Sequence, residues 1–523
     1  MEIIMNLLHG VLLVCVLSKT INSLSSDDQK RLQKIREIWT QVTSTPKAGD
    51  ENIYEFINRM THGKMFNLSV EAHAILEKEG HHRPDYDPHV IPQFNCILEN
   101  NTHIKAKTVH ELTPYDIDIV AAFGDSLTAA FGANAYTPID LFIEYHGVSW
   151  SIGGDETVRS VITLPNILRE YNPNLKGYSK GISPPLIAIP NENLDVAVSG
   201  NTAYGLLKQA KRFVKKMLEN PEYDFFGSWK VLTLFIGGND LCSCCRWWKN
   251  YKEKYSPPNF INEVTETLDY LHQRVPKLFV NLVSPPNVTI LEDLASPWCD
   301  FTHLLECKCG SVYGEKARRF TSGVLEKYQE GYDKLVSSGR YDTRDDFTVV
   351  LQPFFDHTII PRKPDGSVDR SFFAPDCFHF SGKAHAASAL ALWNAMLEPV
   401  GKKVRTWRPT EKFHCPTNEH PYFYTRLNSG NHTVNSESSA IKQEQETSSA
   451  SSDTSEKGST FLNSVDSTSL MIALFMVVLF TFSLVRFMTR SSRQMTNKSL
   501  SISSENPHRA SSTFFSNEVK QLH

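Results

Sequence analysis

The sequence predicts an α/β chain built on a parallel sheet with helices on both faces. Two observations carry this reading. From about residue 115 onward, apolar runs alternate with segments of helical spacing, and the runs are continuously apolar, as strands buried on both faces require. Four polar clusters follow such runs or close the last loop, and open α/β sheets place their ligands beyond the carboxyl ends of the strands.

The elements follow in order. "IDIVAAF" 117–123, "LDVAV" 194–198, "VLTLFI" 231–236, "LFVNLV" 278–283 and "FTVVLQ" 347–352 are the expected strands. Segments 203–219, 260–274, 314–337 and 383–398 carry the helical spacing between and after them. Nearer the N-terminus, Leu32, Ile35, Ile38, Trp39 and Val42 share one stripe over 25–43, with Ser25 and Ser26 placed to cap it. That predicts a helical extension, 24–114, packing on a main domain of 115–427.

The two ends of the chain have their own signatures. Residues 3–17 form an apolar block of signal-peptide length, with small and polar residues around Ser23, so 1–23 reads as a signal peptide. The n-region holds Glu2 and no Lys or Arg, which leaves a signal anchor as the alternative. Residues 470–485 carry no charge and, with their flanks, make 469–488 long enough to span a bilayer as a transmembrane helix. Arg486, Arg490, Arg493 and Lys498 follow this block while acidic residues precede it, so 489–523 is expected to be a cytoplasmic tail and the chain a single-pass type I membrane protein at the cell surface. Residues 428–468 are Ser/Thr-rich, nearly free of large apolar groups, and read as a stalk. Sequons at Asn67, Asn100, Asn287 and Asn431 all fall on the expected lumenal side, where they are candidate glycosylation sites. A net charge of −4 with scattered basic residues gives no footprint for nucleic acid. Of ten cysteines, Cys15 lies in the signal block. The close spacing of Cys242, Cys244, Cys245, Cys307 and Cys309 admits zinc, but an oxidising compartment favours disulfides, with one thiol left over and Cys244 its candidate.

The polar clusters have a chemistry in common. Ser126, in "GDSL" at the exit of the first run, stands where a strand can deliver a nucleophile to a helix start, although Gly-Asp-Ser is also an ordinary turn. A serine hydroxyl needs an imidazole to take its proton and a carboxylate to orient that imidazole; Asp376 and His379 supply both at a spacing of three. His385 is a competing base, and Asp376 could instead cap the helix after it. Oxyanion donors are available from the amide of Gly200 in "VSGN", the side chain of Asn239 in "IGGND" and the amide of Ser126, although the glycines could merely end strands and Asn239-Asp240 cap the next segment.

Taken in this order, Gly-Asp-Ser-Leu, a glycine, Gly-x-Asn-Asp and Asp-x-x-His resemble the blocks of the GDSL, or SGNH, hydrolases. Longer stretches, including "SWSIGGD" 149–155, "LFIGGNDLC" 234–242 and "FFAPDCFHFSGKAH" 372–385, resemble the membrane-associated phospholipase B1 family over roughly residues 90 to 415. The resemblance implies a three-layer SGNH-hydrolase (flavodoxin-like) sheet, Ser126 as nucleophile, Asp376 and His379 as its relay, and Ser126, Gly200 and Asn239 as the oxyanion hole. It implies no cofactor and no metal. It also implies phospholipid and lysophospholipid substrates, cleaved as by a phospholipase B through an acyl-serine intermediate. An esterase of the same fold for carbohydrate acetyl or other small esters, and a non-catalytic surface receptor, are the alternatives. Ser199-Gly200-Asn201 departs from the family's commoner Pro-Gly-Ala, which puts that loop's conformation in question. The family's mammalian members resemble tandem arrays, whereas this chain holds one unit.

Overall fold

A computed structural model describes residues 53–78, 92–96 and 104–430, apart from 139, 186–191, 246–252, 408 and 410–411, with side chains of the first segment from Phe66 onward. The expected signal peptide, the 25–43 helix, Asn100, Asn431, the stalk beyond 430, the 469–488 span and the tail lie outside the described residues. Among the described residues no helix is long and apolar enough to cross a membrane.

Four parallel strands, β1 (Ile117–Gly124), β2 (Trp229–Phe235), β3 (Leu278–Val283) and β4 (Phe347–Gln352), lie side by side in chain order. Val120 sits opposite Val231, Val231 opposite Phe279 and Phe279 opposite Thr348. Every residue of β2, β3 and β4 is buried, which is why these strands read as unbroken apolar runs.

The helices of the described residues are α1 (Ile53–Lys78), α2 (Leu164–Tyr171), α3 (Leu206–Glu219), α4 (Pro257–Arg274), α5 (Pro297–Glu306), α6 (Gly314–Ser337) and α7 (Gly382–Met396), besides shorter turns. Alternation along the strands decides which helices they meet. Ile119, Ala121 and Phe123 of β1 point to a core with Phe213 of α3, Leu268 of α4 and Tyr328 of α6. Val120 and Ala122 point the other way, to Leu168 of α2 and Ala389, Leu392 and Trp393 of α7. The result is three layers, helices on sheet on helices. Start signals are explicit in the sequence: Thr163 caps α2 by accepting the Asn166 amide, Ser296 caps α5 through Cys299, and Pro297 opens α5 at its first position.

One expected strand is not formed as such. Residues 194–198 run parallel to the outer edge of β1 and exchange bonds with it, Ala122 donating to Leu194 and Val196 to Ala122, but the pairing amounts to a single bridge, Ala122 with Asp195. Val198 still donates to Gly124, but the Gly124 amide is taken by the Gln209 side chain and not by this segment, which interrupts the ladder. Counting this segment, the order across the sheet is second, first, third, fourth, fifth, the flavodoxin-like arrangement whose switch point lies beside β1.

Four disulfides join Cys96 to Cys415, Cys242 to Cys307, Cys245 to Cys309 and Cys299 to Cys377. Four of the five clustered cysteines are therefore in disulfides, with Cys242 and Cys245 bridging outward to the segment before α6, and Cys244 is the free thiol, buried, among the described residues.

Candidate active site

Ser126 begins a four-residue helical turn, Ser126–Ala129, directly after β1. Asp125 caps this turn: its side chain accepts the Leu127 amide at 2.9 Å, holding the hydroxyl of the next residue at the rim of the sheet. Burial, opposed by that amide and by the charge on His379, raises the Asp125 carboxyl to about 6.

The structure brings the three residues of the expected relay together across 253 positions of chain. Ser126 Oγ lies 2.8 Å from His379 Nε2, and His379 Nδ1 lies 2.7 Å from Asp376 Oδ2. Asp376 is fully buried, and burial alone pushes its carboxyl up; the facing His379 and the amides of Phe378 (2.9 Å) and His379 (3.0 Å) on Oδ1 outweigh this and hold it below the usual range. An ionised Asp376 only accepts, so Nδ1 donates to it and Nε2 is left to accept from the serine. The rings of Phe131 and Phe378 flank the imidazole, with centroids 4.7 and 4.8 Å from it, and keep water off the pair. The competing base does not join. His385 is buried in α7, where its Nδ1 accepts the Trp150 amide and burial, then the His379 charge, lower it to about 3.

The other two expected residues flank this line. Asn239 follows β2, and its Nδ2 donates to the carbonyl of Asn201 at 2.9 Å, tying the β2 exit to the turn that carries Gly200. Gly200 adopts φ +78°, a left-handed conformation open to glycine, and its amide makes no hydrogen bond among the described residues. Ser199 occupies the position where proline is commoner in the resembling family, and its hydroxyl bonds to Glu144 Oε1. Glu144 belongs to a buried set in which His146 meets Asp195 (2.8 Å), Ser183 (2.8 Å) and Glu144 (3.3 Å). Burial opposes its charge, but the two carboxylates prevail and raise His146 to about 10. A cation held between two acids thus anchors the loop that a proline would otherwise stiffen.

The support on the far side of the relay was not read from the sequence. The segment 375–379 bends at Cys377, φ +62°, so that Asp376 can accept the two amides that follow. α5 grips this bend: Cys299 is bonded to Cys377, Thr302 Oγ1 lies 2.5 Å from the Asp376 carbonyl, His303 Nε2 donates to the Cys377 carbonyl at 2.9 Å and Trp298 Nε1 to that of Pro375 at 2.6 Å. Buried polar side chains without apolar periodicity leave little trace of such a role; the cysteine pair was the available signal.

A narrow apolar cavity lies beside the chain neighbours of the site residues. Its lining includes Leu127, Gly238 and Phe378, each the chain neighbour of Ser126, Asn239 or His379, together with Phe372, Phe380 and Trp407. Asn287 is half-buried on its wall, with Oδ1 engaged by the amide and hydroxyl of Thr289, whereas Asn67 is exposed on α1.

A profile of the GDSL-like lipase/acylhydrolase family matches residues 120–392, just over half of the chain. The chain belongs to that family. It is similar to the membrane-associated phospholipase B1 of Mus musculus, 43% identical over 349 residues that make up 64% of this chain and 23% of the mouse protein, and to that of Homo sapiens, 44% identical over 348 residues, 64% of this chain and 23% of the human one. The chain thus spans about a quarter of the length of these relatives. An extracellular lipase of Streptomyces rimosus covers 53% of the chain at 14% identity with a TM-score of 0.29, too loose a likeness to argue from.

Proposed function

We propose that this chain is a serine ester hydrolase that cleaves fatty acyl esters of phospholipids and lysophospholipids. The observation that carries this reading is the Ser126–His379–Asp376 line with an apolar cavity beside it, walled by their chain neighbours Leu127 and Phe378 and by Phe372, Phe380 and Trp407. A small acetyl ester does not need an apolar wall of this kind, whereas a fatty acyl chain gains about 0.8 kcal/mol for each methylene it buries. The names of the similar proteins point the same way.

In this reading His379 takes the Ser126 proton as Oγ attacks the ester carbonyl. Asp376 stabilises the imidazolium, and the amides of Ser126 and Gly200 with Asn239 Nδ2 receive the oxyanion. His379 then returns the proton to the departing alcohol, and an activated water releases the fatty acid from the serine. The apolar block 469–488 anchors the domain to a membrane, with 489–523 in the cytoplasm, and Asn67, exposed where Asn287 is half-buried, is a glycosylation candidate among the described residues.

Lipid product analysis with the purified ectodomain, wild type beside Ser126→Ala, tests the proposal. The wild type is expected to release fatty acid from long-chain lysophospholipid, at least tenfold faster than acetate from a short acetyl ester, and to react with a fluorophosphonate. Ser126→Ala is expected to lose both reactions, by a factor of about 10⁴ or more, while melting at the same temperature. Persistent labelling of Ser126→Ala refutes the nucleophile, and a preference for the acetyl ester refutes the substrate class.

A further inference from the structure

Glu306, the last residue of α5, brings a second carboxyl to the Asp376–His379 pair. One oxygen of each acid and one ring nitrogen of His379 all lie within 4.8 Å of one another. Glu306 Oε2 is sealed from solvent and has no hydrogen-bond partner among the described residues. The trio is not arranged as a metal site, because both nitrogens of His379 are committed, Nδ1 to Asp376 and Nε2 to Ser126, leaving no lone pair for an ion.

The surroundings decide the charge on Glu306. Asp376 and His379 face it from the 375–379 bend, and no Lys or Arg pairs with it among the described residues. On its own helix, His303 spends its ring on the Cys377 carbonyl and the Ser311 hydroxyl, and burial lowers its affinity for a proton, so it offers no compensating charge. Asp376 keeps its negative charge through His379 and two amides, and a second carboxylate this close is repelled. Burial first, and then Asp376, hold the Glu306 carboxyl well above the usual carboxylate range.

We propose that Glu306 is a positioning residue whose buried carboxyl, unpartnered among the described residues, sets the charge beside His379, adding a negative charge there when it ionises. The role rests on the reading of His379 as the base. A new negative charge strengthens the ring's hold on a proton and so its action as a base. The coupled groups then titrate as a set, not one by one.

The test follows fluorophosphonate labelling of Ser126 and the ring-nitrogen NMR shifts of His379 over a pH series from ~5 to ~10. In wild type, labelling is expected to climb through a step of roughly threefold or more as Glu306 ionises, and the ring shifts to move with it. Glu306→Gln, isosteric and uncharged, is expected to lack both. Glu306→Asp, which withdraws the carboxyl by one methylene, is expected to restore them at a lower pH. Identical ring titrations in wild type and Glu306→Gln overturn the proposal whether or not labelling occurs. Should wild type fail to label while the ring titrations differ as expected, the esterase reading falls and the charge-setting role of Glu306 stands.

Discussion

Asp240 shows how one buried acid next to the site is poised between two demands. Its carboxylate accepts the Ala203 amide at 3.1 Å, which helps to hold the start of the turn leading into α3, yet it is fully buried and repelled by Asp125. Burial is the largest influence, the Ala203 bond opposes it, and the carboxyl ends at about 7. The sign of the consequence is fixed: an acid whose folded value lies above its unfolded one favours folding at low pH and loses that contribution as pH rises through the folded value. Asp240→Asn keeps an acceptor for Ala203 and removes the ionisation. It is therefore expected to melt with wild type near pH 3, where the acid is protonated folded and unfolded alike, and above it near pH 8, by the equivalent of about 4 kcal/mol. Thermal melts of the two proteins at both pH values check this, and equal melting at pH 8 would show that the acid is solvated after all. His146 belongs to the same scale but the opposite sign. Its raised value makes the cation a favourable contribution, full below the ordinary histidine value and lost progressively until pH passes about 10.

Among the elements, those that bury an unbroken apolar run or a clear stripe were legible. β1, α6 and α7 begin and end within two residues of their expected bounds, because burial on both faces or along one helical stripe dictates residue type at every position. That Ser126, Asp376 and His379 meet was legible for a different reason, since a hydroxyl, an imidazole and a carboxylate were expected together from their residue types and their places in loops after the strands. The 194–198 segment misled because its apolar pattern is that of a strand, while the ladder is interrupted by the distant Gln209 side chain, which takes the Gly124 amide. α5 was not read at all. It works through Trp298, Thr302, His303 and a disulfide, contacts to the backbone of a distant loop that no local periodicity encodes. Its importance is testable through that covalent link. With Cys299 and Cys377 both changed to Ser, the left-handed bend at residue 377 loses its covalent tether, and His379 is held less firmly against Ser126. Labelling of Ser126 is expected to slow roughly tenfold, with Asp376 and His379 intact. An unchanged rate would assign the bend to the Thr302 and His303 contacts alone.

At the scale of the whole domain, the segments before β1 and after α7 are sewn to each other over the face formed by α2 and α7. Phe94 meets Tyr171 and Phe413 edge-on, Trp393 Nε1 donates to the His414 carbonyl at 2.8 Å and Trp229 Nε1 to that of Ala106 at 3.1 Å. The Cys96–Cys415 bridge closes this seam across 319 residues. A crosslink over so long a loop acts mainly by restricting the unfolded chain, worth about 2–5 kcal/mol, and none of the seam residues bonds to Ser126, Asp376 or His379 among the described residues. Stability and chemistry should therefore separate. Replacing Cys96 and Cys415 together by Ser, so that no thiol is left to mispair, is expected to lower Tm by about 5 °C or more while labelling of Ser126 at 25 °C stays within about twofold. Calorimetry and a labelling time course on the same preparation make the measurement. A variant that melts like wild type would mean the ring contacts close the seam without the bond. One that stays folded yet labels slowly would mean that the seam reaches the strand exits through α7, whose first turn follows His379 by only three residues.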